Sequence, residues 1–294
     1  MKTVSVATEL KSAILDSPVV LGVGFKMYFD QAQTTRWCTA VAEIAQRHEA
    51  ITSGVVTLFV LPSFTALAGA VGIFADTPVQ VGAQDLFWED RGAYTGEVSG
   101  TDLRDLGCAL VEIGHAERRG IFGETDDVFG AKLAAAIRNG LLPVLCVGEA
   151  RQGSASEAAA SCIRQLEKIL GRHDTVGPMV LAYEPEWAIG AERAASTQHV
   201  SEVAALLRAW LQKRPGCEKS RVIYGGSAGP GVFSELGDEV DGLFLGRFAH
   251  DPAALESILD EVVAAAAADT SEHLSLKDRR FSARGTGSDP QIQG

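Results

Sequence analysis

The stretch Met179–Tyr183, MVLAY, is an apolar run that ends abruptly on Glu184 and Pro185 and leads into the longer segment AYEPEWAIGAERAAS, Ala182–Ser196. A short apolar run bounded by a turn signal reads as a strand buried on both faces. Seven other runs share that character: Val19–Gly24, Val55–Leu61, Val79–Ala83, Leu110–Gly114, Leu142–Val147, Val222–Tyr224 and Gly242–Gly246. The segments between them carry helical spacing. Cys162, Ile163, Leu166, Ile169 and Leu170 fall on one helix face, and Leu255, Ile258, Leu259 and Val262 on another. Eight strands alternating with helices over about 250 residues predict a closed (β/α)8 barrel, with its site at the C-terminal ends of the strands. That barrel spans roughly residues 16–267, as a single domain. A doubly wound open sheet is the competitor, and it is disfavoured because no G-x-G-x-x-G follows a strand and no P-loop is present.

Outside the barrel, residues 1–15 read as an N-terminal extension, a short surface helix using Leu10, Ile14 and Leu15. The stretch 268–294 is polar and without periodicity, and is expected to be a disordered tail. Hydrophobic residues make up 46% of the 294 and charged ones 22%, enough for a large core. The formal net charge of −12, with no basic patch, argues against nucleic acid as a partner. An anionic small molecule held by backbone amides stays open. Five scattered cysteines without a C-x-x-C pair suit reduced thiols in the cytoplasm. No secretion signal and no membrane span are expected. His48, His173, His199, His250 and His273 lack ligand-like spacing, so no metal site is expected. Cys146 reads as a packing residue.

Three polar residues stand where barrel chemistry occurs: Lys26 after the first strand, His115 after the fourth and Glu184 after the sixth. Each has a plainer reading alone, as a rim lysine, a helix cap and a turn carboxylate. Together they place a cation, an imidazole and a base at one mouth. Glycine-rich loops, YGGSAGPG (Tyr224–Gly231) and LGRFAHDP (Leu245–Pro252), follow the seventh and eighth strands, where such barrels often bind phosphate.

The ordered motifs GHAERR, FGET, AYEPEWAIG, YGGS, LCVGE, VGAQD and GAYTGEVS resemble those of the triosephosphate isomerase family, from about Val19 to Val263. The resemblance implies an enzyme that isomerises a short sugar phosphate through an enediolate and needs no cofactor. Glu184 is then the general base. His115 is the neutral electrophile of this family's known pKa tuning, and Lys26 offsets the developing negative charge. Glu117 supports proton shuttling or orients Lys26; a structural salt bridge with a nearby arginine is the equal alternative. The amides of Gly190, Ser227, Gly246 and Arg247 hold the phosphate. Trp187, Ala188, Ile189, Gly190 and Ala191 look like the family's lid, received by Tyr224 and Ser227. VGAQDLFWEDRGAYTGEVS looks like the loop that docks into a neighbouring subunit. That implies a homodimer in which Thr95 reaches the partner's site and Glu97 pairs with Arg118.

The chain departs from the family at the substrate. Gly24 stands where an asparagine is usual, which is expected to enlarge the site and makes Gly24 a pocket residue. Arg247 stands for the second glycine after the eighth strand. Glu186, Glu192 and Arg193 alter the lid. Such changes suit a slightly different sugar phosphate. GSAGPG and GRFAHDP look similar to a family branch that interconverts L-erythrulose 1-phosphate and D-erythrulose 4-phosphate in erythritol breakdown. Triose phosphate activity is the parallel expectation. A catalytically silent sugar-phosphate sensor is the competing reading of another class.

Overall fold

The computed structural model of the chain describes residues 12–171, 176–189 and 195–282. Eight parallel strands close into a barrel in sequence order: β1 (Val19–Gly24), β2 (Val56–Leu61), β3 (Gln80–Ala83), β4 (Leu110–Ile113), β5 (Leu142–Val147), β6 (Val180–Tyr183), β7 (Arg221–Tyr224) and β8 (Gly242–Leu245). The last strand returns to the first, with Val20 opposite Gly242 and Val23 opposite Leu245. Every expected apolar run forms a strand. The bounds differ only at the ends, where pairing stops before the apolar character does. The barrel is therefore the observed fold.

Two layers of apolar packing hold it. Alternate strand residues point inward, so Val20, Phe59, Leu61, Leu110, Val144 and Ile223 fill the barrel interior. The residues between them point outward against the helices, where Leu21, Val111, Leu145, Leu181 and Val222 meet Leu133, Leu166 and Leu207. Each such side chain contributes about 1.5–3 kcal/mol on burial. Large and small residues interlock inside: a Cβ on Gly22 of β1 would lie 2.1 Å from the Phe59 ring of β2. The helix Ala155–Leu170 buries Cys162, Leu166, Ile169 and Leu170 as its spacing requires, and Ser154 caps it in a capping box with Glu157.

The barrel's lower end corrects one expectation. Residues 12–16 are helical, but they do not lie on the surface. Ile14 is fully buried within the interior cluster and plugs the bottom of the barrel. The Thr57 hydroxyl donates to the Ala13 carbonyl at 3.1 Å, and Arg221 donates to the carbonyls of Leu15 and Ser17. The barrel unit thus begins before residue 16, because an open barrel end needs an apolar stopper. Leu10 lies outside the described residues. At the other terminus the helix Pro252–Ser282 continues into the stretch expected to be disordered from residue 268. The alanine run Ala264–Ala268 has the highest helix propensity available and carries the helical backbone onward. Residues 283–294 lie outside the described residues.

Candidate active site

The mouth of the barrel is built from strand ends. Beyond β1, Lys26 has φ 48°, the one positive-φ non-glycine residue among the described residues. An L side chain at that φ is strained, and such strain concentrates at functional sites. The Gln84 amide holds the turn by donating to the carbonyls of Lys26 and Leu61 at 2.9 Å each. Lys26 Nζ donates to Glu117 Oε1 at 2.9 Å. Burial works to lower the Lys26 pKa, but the hydrogen bond and charge of Glu117 outweigh it and raise it. Of the two readings of Glu117, its contact is with Lys26 and not with an arginine. Arg118 turns away to Glu124 and Asp85.

Beyond β4, Gly114 takes φ 79° and turns the chain so that His115 caps the short helix Ala116–Gly120. His115 Nδ1 accepts from the Glu117 amide at 3.1 Å. A ring nitrogen that accepts from an amide carries no proton, which leaves the N–H on Nε2. Nε2 faces Glu184 Oε2 across 3.6 Å. Beyond β6, Glu184 is 5% exposed, and its own amide is tied to the Val147 carbonyl at 2.9 Å. Burial raises its pKa, with His115 and Lys26 opposing in part. Its Oε2 has no hydrogen bond among the described residues. Gly225 packs against it so closely that a Cβ there would lie 2.6 Å from Glu184 Cγ.

These side chains line one cavity of about 450 Å³. Its other wall comes from the loops after β7 and β8, with Ser227, Gly246 and Arg247. Ser227 Oγ donates to the Ala188 carbonyl at 3.1 Å, joining the first leg of the lid to that wall. The leg itself is a 3-10 turn, Glu186–Ala188. The Trp187 indole anchors it to Glu149 at 2.6 Å, and the buried Tyr183 hydroxyl donates to the same carboxylate at 3.2 Å. Ile189 lines the cavity, while Gly190, Ala191, Glu192 and Arg193 lie outside the described residues. The exposed Arg247 side chain lies over the Tyr28 ring, 5.7 Å from its centroid, at the rim. Thr95 and Glu97 are exposed on their loop. Arg118 feels the charge of Glu97 but hydrogen-bonds to Glu124.

Two expectations need correction. Gly24 does not simply open space: the Phe244 ring of β8 takes it, 3.4 Å from where a Cβ on Gly24 would stand. Cys146 does more than pack. Its thiol donates to Glu112 Oε1 at 3.6 Å and also reaches Glu184, so it lies between two carboxylates. Glu112 itself escaped the sequence reading. It lines the cavity from the inward face of β4, and burial pushes its pKa up to about 7. The available signal was one acid in the middle of an apolar strand, VEIG.

A buried base, an imidazole N–H and a cation around one cavity, beside glycine loops suited to an anion, can move a proton next to a carbonyl. The sequence matches the family model for triosephosphate isomerase over residues 19–262. The chain belongs to the triosephosphate isomerase family. It is 55% identical over 246 residues to a protein of Pectobacterium atrosepticum named L-erythrulose-1-phosphate isomerase, covering 83% of this chain and 95% of that protein. It is 44% identical over 208 residues to a triosephosphate isomerase of Moorella thermoacetica, covering 68% of this chain and 84% of the relative. The crystal structure of triosephosphate isomerase from Bartonella henselae superposes with a TM-score of 0.69 at 27% identity, over 84% of this chain and 99% of that one. The chain is accordingly a sugar-phosphate isomerase.

Proposed function

We propose that the protein interconverts L-erythrulose 1-phosphate and D-erythrulose 4-phosphate. The observation that carries this reading is the facing pair Glu184 and His115, 3.6 Å apart over one cavity, in a chain whose relative of that name is 55% identical. Glu184 removes the proton from C3 of L-erythrulose 1-phosphate, and His115 Nε2–H polarises the C2 carbonyl. The electron pair passes into a C2–C3 enediolate whose charge Lys26 offsets. The proton returns to C2, the carbonyl now stands at C3, and no atom is gained or lost. Ser227, Gly246, Arg247 and Gly190 hold the phosphate. The lid through Ala191 closes over it and keeps water from the enediolate. A second reading, triose phosphate as substrate, has the support of the 44% identical relative.

The proposal extends to a homodimer in the cytoplasm. Met27 is 93% exposed, and Ile121 and Phe122 are also exposed, which leaves apolar side chains for a second copy to cover. Thr95 and Glu97 stand on an exposed loop beside them. Five buried unpaired cysteines fit a reducing compartment.

The test is NMR in heavy water with purified protein and both erythrulose phosphates beside the triose phosphates. The expected result is turnover of the four-carbon pair with carbon-bound deuterium, faster than any triose turnover. Absence of exchange with every substrate would sink the reading, and faster triose turnover would select the second one.

A further inference from the structure

The cavity has two chemically different ends. In a ring of eight strands β4 stands opposite β8, so the anion-binding loops after β7 and β8 and the inward face of β4 are across the barrel from one another. His115 and Glu184 flank the space between. On the far side, three residues before His115 and deeper in the barrel, Glu112 faces the cavity at 6% exposure. Its neighbours inside the barrel are Leu110 on its own strand and Val144 across the register on β5. Its hydrogen-bond partner among the described residues is the Cys146 thiol, a weak donor at 3.6 Å. No cation pairs with it. A buried carboxyl with so little to bind costs stability unless a ligand completes its hydrogen bonds.

We propose that Glu112 is a specificity-determining residue whose carboxyl group holds the terminal hydroxymethyl hydroxyl of a four-carbon ketose phosphate. The assignment rests on the four-carbon reading above. With the phosphate on the β7–β8 side and the two reacting carbons between His115 and Glu184, the remaining carbon extends away from the phosphate, toward β4. A triose phosphate has no carbon there. An ionised carboxylate accepts from that hydroxyl, and a protonated one can donate to it as well. Burial favours the protonated form, which spares the site a second full negative charge beside Glu184 and the enediolate.

The experiment compares wild type, Glu112→Leu and Glu112→Gln, each checked for fold by circular dichroism and melting. Calorimetry measures binding of two unreactive polyol phosphates, erythritol 4-phosphate and glycerol 3-phosphate. Wild type is expected to prefer the four-carbon ligand by about tenfold or more, Glu112→Leu to lose the preference to within about twofold, and Glu112→Gln to recover part of it. In turnover, the ratio of kcat/KM for tetrulose over triose phosphate is expected to fall about tenfold in Glu112→Leu. A merely structural role would weaken both ligands alike and leave the ratios unmoved, which would overturn the assignment, as would a wild type without preference. If binding preference depends on Glu112 but no exchange occurs with any sugar phosphate, the isomerase reading fails and the assignment stands. If tetrulose phosphates turn over and Glu112→Leu keeps both ratios, the assignment alone fails.

Discussion

Glu184 can act as a base because its surroundings hold water off without leaving it chargeless. Replacing it by glutamine keeps the shape and removes the proton acceptor. Glu184→Gln is expected to lower kcat by about 10³-fold or more with little change in substrate affinity, read from steady-state kinetics. Glu112 makes a different demand on the fold. Its folded-state pKa, about 7, lies above its ordinary value of 4.5, so the native state binds the proton more tightly than the unfolded chain does. Unfolding free energy therefore falls as pH rises between those two values, by about 3 kcal/mol for a shift of that size, and levels off above them. Glu184 acts in the same direction. Glu112→Gln should remove most of the Glu112 share of that fall, as measured by denaturant unfolding on either side of the window. Glu112 was invisible in the sequence for a physical reason. A single acid in an apolar strand does not reveal which face it occupies, and its thiol neighbour lies on another strand, 34 residues away.

At the level of strands and loops, the site depends on one loop leaving room for another. Gly225, just after β7, is where Glu184 of the neighbouring β6 end needs space: a methyl group there would stand 2.7 Å from Glu184 Oε1. Gly225→Ala should fold, since the carboxylate can swing aside. Yet kcat is expected to drop by about 10²-fold, because a displacement of that size spoils the attack geometry. Unchanged kcat would mean that the carboxylate was never held by this contact. The strands were legible because both their faces are buried, so each reads as an apolar run. The Glu184 segment was legible as strand, base and lid because those roles follow one another along the chain. The tie from Trp187 to Glu149 was not, since it joins residues 38 apart through a side-chain hydrogen bond.

Across the whole molecule, the two barrel ends divide the labour, with chemistry above and closure below. Ile14 is the stopper, fully buried among interior side chains. Ile14→Ala is expected to cost about 2–5 kcal/mol of stability while leaving kcat within about twofold of wild type, by denaturant titration and kinetics. The spacing of Leu10, Ile14 and Leu15 announced an apolar helix face but not what would cover it; only closure of the barrel decides that. The seam where the first strand meets the last has its own consequence. Gly24 and Phe244 lie 220 positions apart, yet the ring fills the place that a side chain on Gly24 would need. Neither position is free to change by itself. Gly24→Asn alone drives an amide toward the ring, and Phe244→Leu alone leaves a hole, so each should lower stability or kcat/KM. The double variant should recover much of both losses, with a coupling of about 0.5–3 kcal/mol in a double-mutant cycle. The two positions would then behave as one heritable unit: a path between an asparagine and a glycine at this mouth runs through paired exchange, and the order of the two steps is constrained by epistasis.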